Sequence, residues 1–348
     1  MNSEQPRPLL VQTMLLSTMC SDVIRVYEPD HMINTLPGVR TVSAVGTADL
    51  NIGRPGEDKV FIWQRQRLKY PDDLAKQQEL LRRGYLIVAE IDDDPLFWPE
   101  HPENRFVTFR SAHCVQTSTE YLANILREFN PNVGVFPNQL ATLPPQRFFA
   151  PDRPVTVFFG AFNREKDWEP IMPALNRVLA KYEKHVRVVV VYDKLFFDQL
   201  QFANKQFIPL CPYEQYLKIL SSVDIALLPL RDTRFNRCKS DLKFIQCAAR
   251  GAVVLASPTV YADSVTDGVT GILYENESQF AERLQQLIEA PAWRQTIALN
   301  AYDYVKKNRM LWQHYEKRVE WYRTMVRQLP ELTRQLLHRM PELRKGSI

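Results

Sequence analysis

The sequence predicts an α/β protein of two doubly wound domains followed by a C-terminal helical extension. Three observations carry this. Apolar runs of strand length alternate with polar segments of helix length along most of the 348 residues, the rhythm of a parallel sheet with crossover helices. Residues 223–275 read as strand, loop, helix, strand, about the size a parallel crossover needs. Residues 140–154 hold four prolines, Pro144, Pro145, Pro151 and Pro154, between two such alternations, as an interdomain linker does. The length suits two domains of ordinary size, and the expected division is 1–145, 152–300 and a tail over 301–348.

Taken in order, residues 9–20 read as the first strand and its following loop. The run is interrupted by polar residues, lacks a basic leader and has no small-residue cleavage site, so it is not read as a signal peptide. Residues 60–64 are a strand, 72–83 a polar helix stopped at Gly84, 85–91 the next strand, 108–117 a further strand region and 119–129 a helix capped by Ser118 or Thr119. Beyond the linker come a strand at 155–159, a helix at 168–182, a strand at 186–192, a helix or loop at 195–203, a short strand at 207–210 and a helix at 214–222. After the strand at 223–230, Ser240 stands where an N-cap belongs and Gly251 where a left-handed C-cap residue belongs, predicting a helix of three turns. Its free N–H groups would face the sheet edge where such folds bind ligands, with Lys239 and Lys243 beside them, an arrangement suited to phosphate.

Other classes are excluded. None of the eleven glycines forms G-x-G-x-x-G or G-x-x-x-x-G-K-[ST], so neither a dinucleotide dehydrogenase nor a P-loop ATPase is supported. Five scattered cysteines without a C-x-x-C pair suggest no zinc site and no disulfide framework. No apolar run approaches the roughly twenty residues needed to span a bilayer.

The segments QCAARG (246–251), AVVLAS (252–257) and DGVTGIL (267–273) occur in order at spacings that resemble the carboxyl-terminal signature of GT-B nucleotide-sugar glycosyltransferases, particularly the retaining family 4 group. VTVFFGAFNREKDW (155–168) is similar to the strand, glycine and basic loop that open that family's second domain. VGVFPN (133–138) is similar to the phrase that closes its first. The resemblance implies two Rossmann-like domains and a nucleotide-diphosphate sugar as co-substrate, with no other cofactor and no metal. It implies retention of configuration and an acceptor entering from the first domain. Carried over position by position, it assigns the donor to Gly160, Arg164, Lys166, Tyr213, Cys238, Lys239, Ser240, Lys243 and Gln246. Two of these depart from the pattern, because Gln246 and Cys238 stand where the family has glutamates. The amide of Gln246 can still accept from a ribose hydroxyl, whereas a thiol is a weak donor and poor acceptor. Two readings follow: a divergent transferase, or a catalytically silent GT-B protein that serves as a nucleotide-sugar-binding or scaffold subunit.

Asp92, Asp93 and Asp94 follow a first-domain strand at its carboxyl edge. A solvated capping loop, a metal site, and a place where Asp92 and Asp93, with His101 beside them, position the acceptor are three readings of that triplet. The site expectation takes the third. Arg65 and Arg67 could face the same edge, and His113 reads as a packed histidine.

From 301 onward eleven Lys and Arg stand against five Asp and Glu, a net of +6, while the whole chain is at +4. Trp312, Tyr315, Val319, Tyr322 and Val326 recur at helical spacing, which predicts an amphipathic helix packing back on the first domain, with a second helix after 329. Such basic helices can lie on an anionic membrane or can carry solvated charge on a packing face. The aromatics sit on the apolar stripe rather than among the charges, which argues against nucleic acid. The expected protein is cytoplasmic, at or near the inner face of a membrane, with a glycan, glycolipid or protein as acceptor.

Overall fold

The computed structural model describes residues 6–16, 20–149, 153–161 and 164–344. The chain forms two compact units. Unit 1 comprises Met1–Ala141, Cys238–Ser240 and Leu311–Ile348, and unit 2 comprises Thr142–Arg237 and Asp241–Met310.

Unit 1 is a six-stranded parallel sheet of β1 (Leu9–Leu15), β2 (Val39–Val45), β3 (Asp58–Gln64), β4 (Leu86–Glu90), β5 (Cys114–Thr117) and β6 (Val133–Val135), in the order β2-β1-β3-β4-β5-β6. Its central strands are apolar on both sides because both faces are covered. Alternate residues of β3 go to opposite cores, as a period of two requires. Phe61 and Trp63 join Ile87, Val115, Leu122 and Leu126, while Val60 and Ile62 join Leu9, Val88, Val319, Tyr322 and Leu332. The first strand expected within 9–20 and the strands expected at 60–64 and 85–91 are present, as Leu9–Leu15, Asp58–Gln64 and Leu86–Glu90.

Three features differ from expectation. The edge strand β2, with the sequence VRTVSAV, is half exposed, so its polar alternation gives little signal. Residues 23–33 form a π-helical turn and a helix. The expected strand at 108–117 begins as a helical turn, Val107–Arg110, because Phe106 takes φ 53° and turns the chain into it; only β5 is strand. The helix Glu120–Arg127 is capped as expected, with Thr119 Oγ1 accepting from the Leu122 N–H.

The helices Tyr315–Arg327 and Leu329–Arg339 belong to unit 1. Val319 and Tyr322 are buried in its core, with Tyr315 and Val326 packed against it. Tyr315, Val319, Tyr322 and Val326 are therefore spent on the sheet, while Trp312 at the head of the stripe is 57% exposed. Trp321 lies over β6, and a Cβ added at Gly134 would come within 2.8 Å of its ring. Gly134→Ala is expected to cost about 1–3 kcal/mol by overpacking, read as a lower urea midpoint at unchanged m-value; an unchanged midpoint would show that the indole moves aside freely.

Unit 2 repeats the plan with β7 (Val155–Gly160), β8 (Val186–Val191), β9 (Lys205–Ile208), β10 (Ile225–Leu228), β11 (Val253–Ala256) and β12 (Ile272–Leu273), all parallel, in the order β12-β11-β10-β7-β8-β9. The helix expected over 168–182 is divided into Glu165–Trp168, a 3₁₀ turn Glu169–Ile171 and Met172–Leu179. Pro170 and Pro173 each lack an N–H and restrict the residue before them, so a continuous ladder cannot form. Residues 194–199 resolve as a helix capped by Asp193, which accepts from the Phe196 N–H at 2.8 Å. Asp224 gathers the linker: its Oδ1 accepts from Arg147 at 2.9 Å and Arg153 at 2.5 Å, and its Oδ2 accepts from the Thr156 N–H at 2.8 Å.

The helix expected to start at Ser240 runs only over Leu242–Ala248, two turns rather than three. Neither neighbouring side chain caps it. Ser240 Oγ accepts from Asn138 Nδ2 at 2.7 Å, and the Asp241 carboxylate is held by two nitrogens of Arg309. Gly251 closes it at φ 73°, as the C-cap reading requires. The basic loop before it carries a helical turn, Arg234–Arg237. Position 301 lies within a continuous helix, Pro291–Asn308.

Candidate functional site

In unit 2 the strand order reverses between β7 and β10, and open α/β sheets bind ligands outside the carboxyl ends of strands at such a switch. Gly160 ends β7, and its carbonyl accepts from Lys243 Nζ on the helix Leu242–Ala248. A Cβ at Gly160 would meet the Phe158 ring at 2.5 Å, so glycine is required there by packing. Arg164, just after the strand, donates from Nη1 to Asn236 Oδ1 at 2.5 Å and to Asp167 Oδ2 at 3.2 Å. Asp167 Oδ1 in turn accepts from the Arg231 N–H at 3.0 Å and from Asn236 Nδ2 at 2.7 Å. The loops that follow β7 and β10 are thus tied together by one buried carboxylate and one buried amide, neither of which the sequence marks. Lys166 is exposed.

Gln246 is buried and donates from Nε2 to the Tyr213 hydroxyl at 2.8 Å. Tyr213 opens the helix Tyr213–Leu220. The two residues expected at the ribose and nucleobase are therefore neighbours, and the bond fixes the Gln246 amide so that its carbonyl oxygen is the atom left to accept. Cys238 lies elsewhere: it is fully buried in the apolar core of unit 1 with Phe109, Leu126 and Leu336. Its thiol is 0% exposed in unit 1, whereas Gln246 and Lys243 lie in unit 2.

Lys239 and Ser240 also belong to unit 1. Lys239 Nζ pairs with Asp93 Oδ1 at 2.6 Å. Arg65 lies 3.4 Å from both Asp92 Oδ1 and Asp93 Oδ2 and donates to Ser21 Oγ at 2.9 Å. Arg65 holds φ 55°, a conformation rare outside glycine and one that gathers at functional sites. Asp92 and Asp93 are thereby brought together at the carboxyl edge of the sheet, each countered by a cation. Asp94 closes the turn by accepting from the Leu96 N–H at 2.9 Å. Beneath this edge the side-chain amide of Gln64, Asp92 Oδ1 and Ser118 Oγ are buried without a hydrogen-bond partner among the described residues.

His101 stands on the helical turn Glu100–Glu103. It is buried with its ring 4.9 Å from that of Phe109, and desolvation lowers its pKa to about 4, so it is neutral at pH 7. Arg67 pairs with Glu100 at 2.6 Å and lies over the Trp98 ring.

His113 is a packed histidine, as expected. Its Nδ1 accepts from the Ile87 N–H at 2.9 Å, which places the proton on Nε2 facing Thr333 Oγ1 at 3.2 Å. Burial lowers its pKa to about 3, and the Arg339 cation acts in the same direction. The unfolded ring titrates near 6.5. Protonation therefore favours the unfolded chain, so stability present above pH 6.5 is lost as pH falls from 6.5 towards 3. His113→Gln is expected to flatten this part of the acid branch; equal slopes in the two proteins would mean that the ring is not held neutral.

Residues 170–322 match a family model described as glycosyl transferase-like. No curated protein sequence matches the chain. Among solved structures, HepE from Anabaena, in complex with UDP and glucose, is similar at TM-score 0.63 and 12% identity, covering 90% of this chain and 98% of that one. A sucrose-phosphate synthase from Thermosynechococcus elongatus is similar at TM-score 0.64 and 12% identity, covering 92% and 99%. WaaG, a glycosyltransferase involved in lipopolysaccharide biosynthesis, is similar at TM-score 0.59 and 11% identity, covering 89% and 98%. The chain has the GT-B fold, and its identity to these proteins is low enough to make it a divergent example. Among the described residues no helix is long and apolar enough to cross a membrane.

Proposed function

We propose that this chain is a glycosyltransferase that moves a sugar from a nucleotide-diphosphate sugar to a glycan, lipid or protein acceptor, with retention of configuration and without a required metal. The observation that carries the reading is the grouping at the carboxyl end of the unit 2 sheet. Lys243 reaches the end of β7, Arg164 braces the loops beside it, and Gln246 and Tyr213 form a hydrogen-bonded pair on adjoining helices. Lys243, with the exposed Lys166, would stabilise the negative charge that grows on the diphosphate as it departs. The carbonyl oxygen of Gln246 would accept from a ribose hydroxyl. In this reading the departing phosphate takes the acceptor proton, so the site needs no separate base. Asp92 and Asp93 are assigned to positioning the acceptor. The buried, unpartnered polar atoms of Gln64 and Ser118 at that edge support a hydroxyl-rich occupant there. A cytoplasmic setting belongs to the same proposal.

The absence of a carboxylate at either signature position favours one competing reading, a nucleotide-sugar-binding subunit without transfer. A thermal-shift series with UDP, GDP, ADP, CMP and TDP separates the cases. At a hundred times Kd, binding adds about 2.7 kcal/mol to apparent stability, so one nucleotide should raise the midpoint by several degrees, and its sugar conjugate should be consumed when acceptors are supplied. A shift without consumption would favour the silent subunit. No shift with any nucleotide would sink the donor site.

A further inference from the structure

The crossovers of unit 1 do not cover its sheet evenly. β3 passes to β4 through the helix Leu74–Arg82, and β5 to β6 through Glu120–Arg127, both packed on the face that carries Phe61 and Trp63. β2 passes to β3 through residues 46–57, which contain no helix. Among the described residues, the β1–β2 margin of that face is covered by this loop beside the helix Leu74–Arg82. A cavity of about 510 Å³ remains there, walled by the apolar side chains of Met14, Ala48, Leu50, Phe61, Trp63 and Leu80, with Thr47, Lys76 and Glu79 also on its lining, within the range of about 300–1,000 Å³ typical of small-molecule sites.

Its chemistry is specific. The Trp63 indole N–H donates to Gln77 Oε1 at 3.0 Å, and Gln12 on the same face of β1 is bonded to Asp49 O and the Tyr85 hydroxyl. None of the lining residues carries a buried unpartnered polar atom. The charges on the lining are already engaged, Lys76 with Asp73 and Glu79 with Arg82 and Arg83, and Thr47 is exposed, so the apolar wall suits a hydrocarbon chain, which needs no polar partner, better than a sugar ring. Strand register places Val42 opposite Gln12 on this face, and Val42 is 40% exposed. Met14 and the loop starting at Gly46 bring the cavity to the carboxyl end of the sheet, the end that also carries Asp92 and Asp93.

We infer that the cavity takes the hydrocarbon chain of an amphiphilic acceptor, with its polar head at the aspartate edge. The acceptor part of this rests on the transferase reading, and chain binding does not. The test is calorimetric titration with n-alkyl β-D-glucosides of eight to twelve carbons, below their micelle concentrations, with methyl β-D-glucoside as the chainless control. Affinity should rise about fourfold per added methylene, and the dodecyl compound should bind Ala48→Trp at least tenfold more weakly. UDP and GDP binding should be unchanged in that variant. Affinity independent of chain length, or undiminished in a folded Ala48→Trp protein, overturns the inference; the wild-type series decides alone if the variant does not fold. A dimer that Ala48→Trp dissociates would make a second copy the occupant and also overturn it. Chain-dependent binding in a protein that binds no nucleotide would sink the transferase reading and leave the cavity's ligand class standing.

Discussion

Lys243→Ala is expected to lower kcat/KM for sugar transfer at least about a hundredfold, because removing one preorganised partner of a developing negative charge costs about 2.7–4 kcal/mol in a water-poor site. The expected split is informative. If Lys243 acts mainly on the departing diphosphate, kcat falls more than KM rises. Its bond to the Gly160 carbonyl is local, so the nucleotide-free melting midpoint should change little. Lys243→Arg, which keeps the charge, should recover part of the rate. A variant with full activity, or one whose loss is matched by a collapse in apo stability, would remove Lys243 from the donor site.

Glu90→Ala is expected to cost about 3–5 kcal/mol of folding stability, the usual result of leaving one member of a buried ion pair without its partner. Arg25 and Glu90 are each 1% exposed and paired at 2.6 Å. Arg25 also donates to Phe136 O and Asn138 Oδ1, while Glu90 accepts from Gln116, whose Oε1 accepts from the Tyr322 hydroxyl at 2.7 Å. Domains are stable by only about 5–15 kcal/mol, so the loss would remove a large part of the margin. The control is Arg25→Met with Glu90→Leu, which deletes both charges and should recover much of it. Urea midpoints compare the three proteins; a loss below about 1 kcal/mol in the single variant would mean that water reaches the pair.

The fold was legible wherever burial writes a plain pattern. Strands covered on both faces carry long apolar runs, Leu86–Ala89 in β4 and Val188–Val191 in β8, and glycine closes the signature helix where a left-handed residue is needed. β2 was not legible, because an edge strand with one open side loses its apolar continuity. The start of the helix at Leu242 was not legible either. A serine before a helix looks like a cap, and nothing local says that its hydroxyl is taken by Asn138, 102 positions away. At the site, Gln246 and Tyr213 were both assigned through the resemblance to the GT-B family, and the structure adds that they touch. Cys238 illustrates the limit: its position in a motif said nothing about its burial in the core of unit 1. Arg25 and Glu90 were missed because a charged residue inside an apolar run gives no sign of its partner, although the acid closing β4 was a visible anomaly.

The composition of unit 1 has a consequence in time. Its sheet is made by the first 141 residues, yet one of its two cores requires Val319, Tyr322 and Leu332. During synthesis those residues emerge after all of unit 2 has left the ribosome. The usual order, in which the first-made domain folds first, is therefore reversed here: unit 2 can finish while unit 1 waits with one face of its sheet incompletely covered. A nascent chain arrested with residue 310 just clear of the ribosome exit tunnel should yield a protease-resistant fragment from residues 142–310 and none from the first 141, and that waiting sheet is where a chaperone would have the most apolar surface to hold.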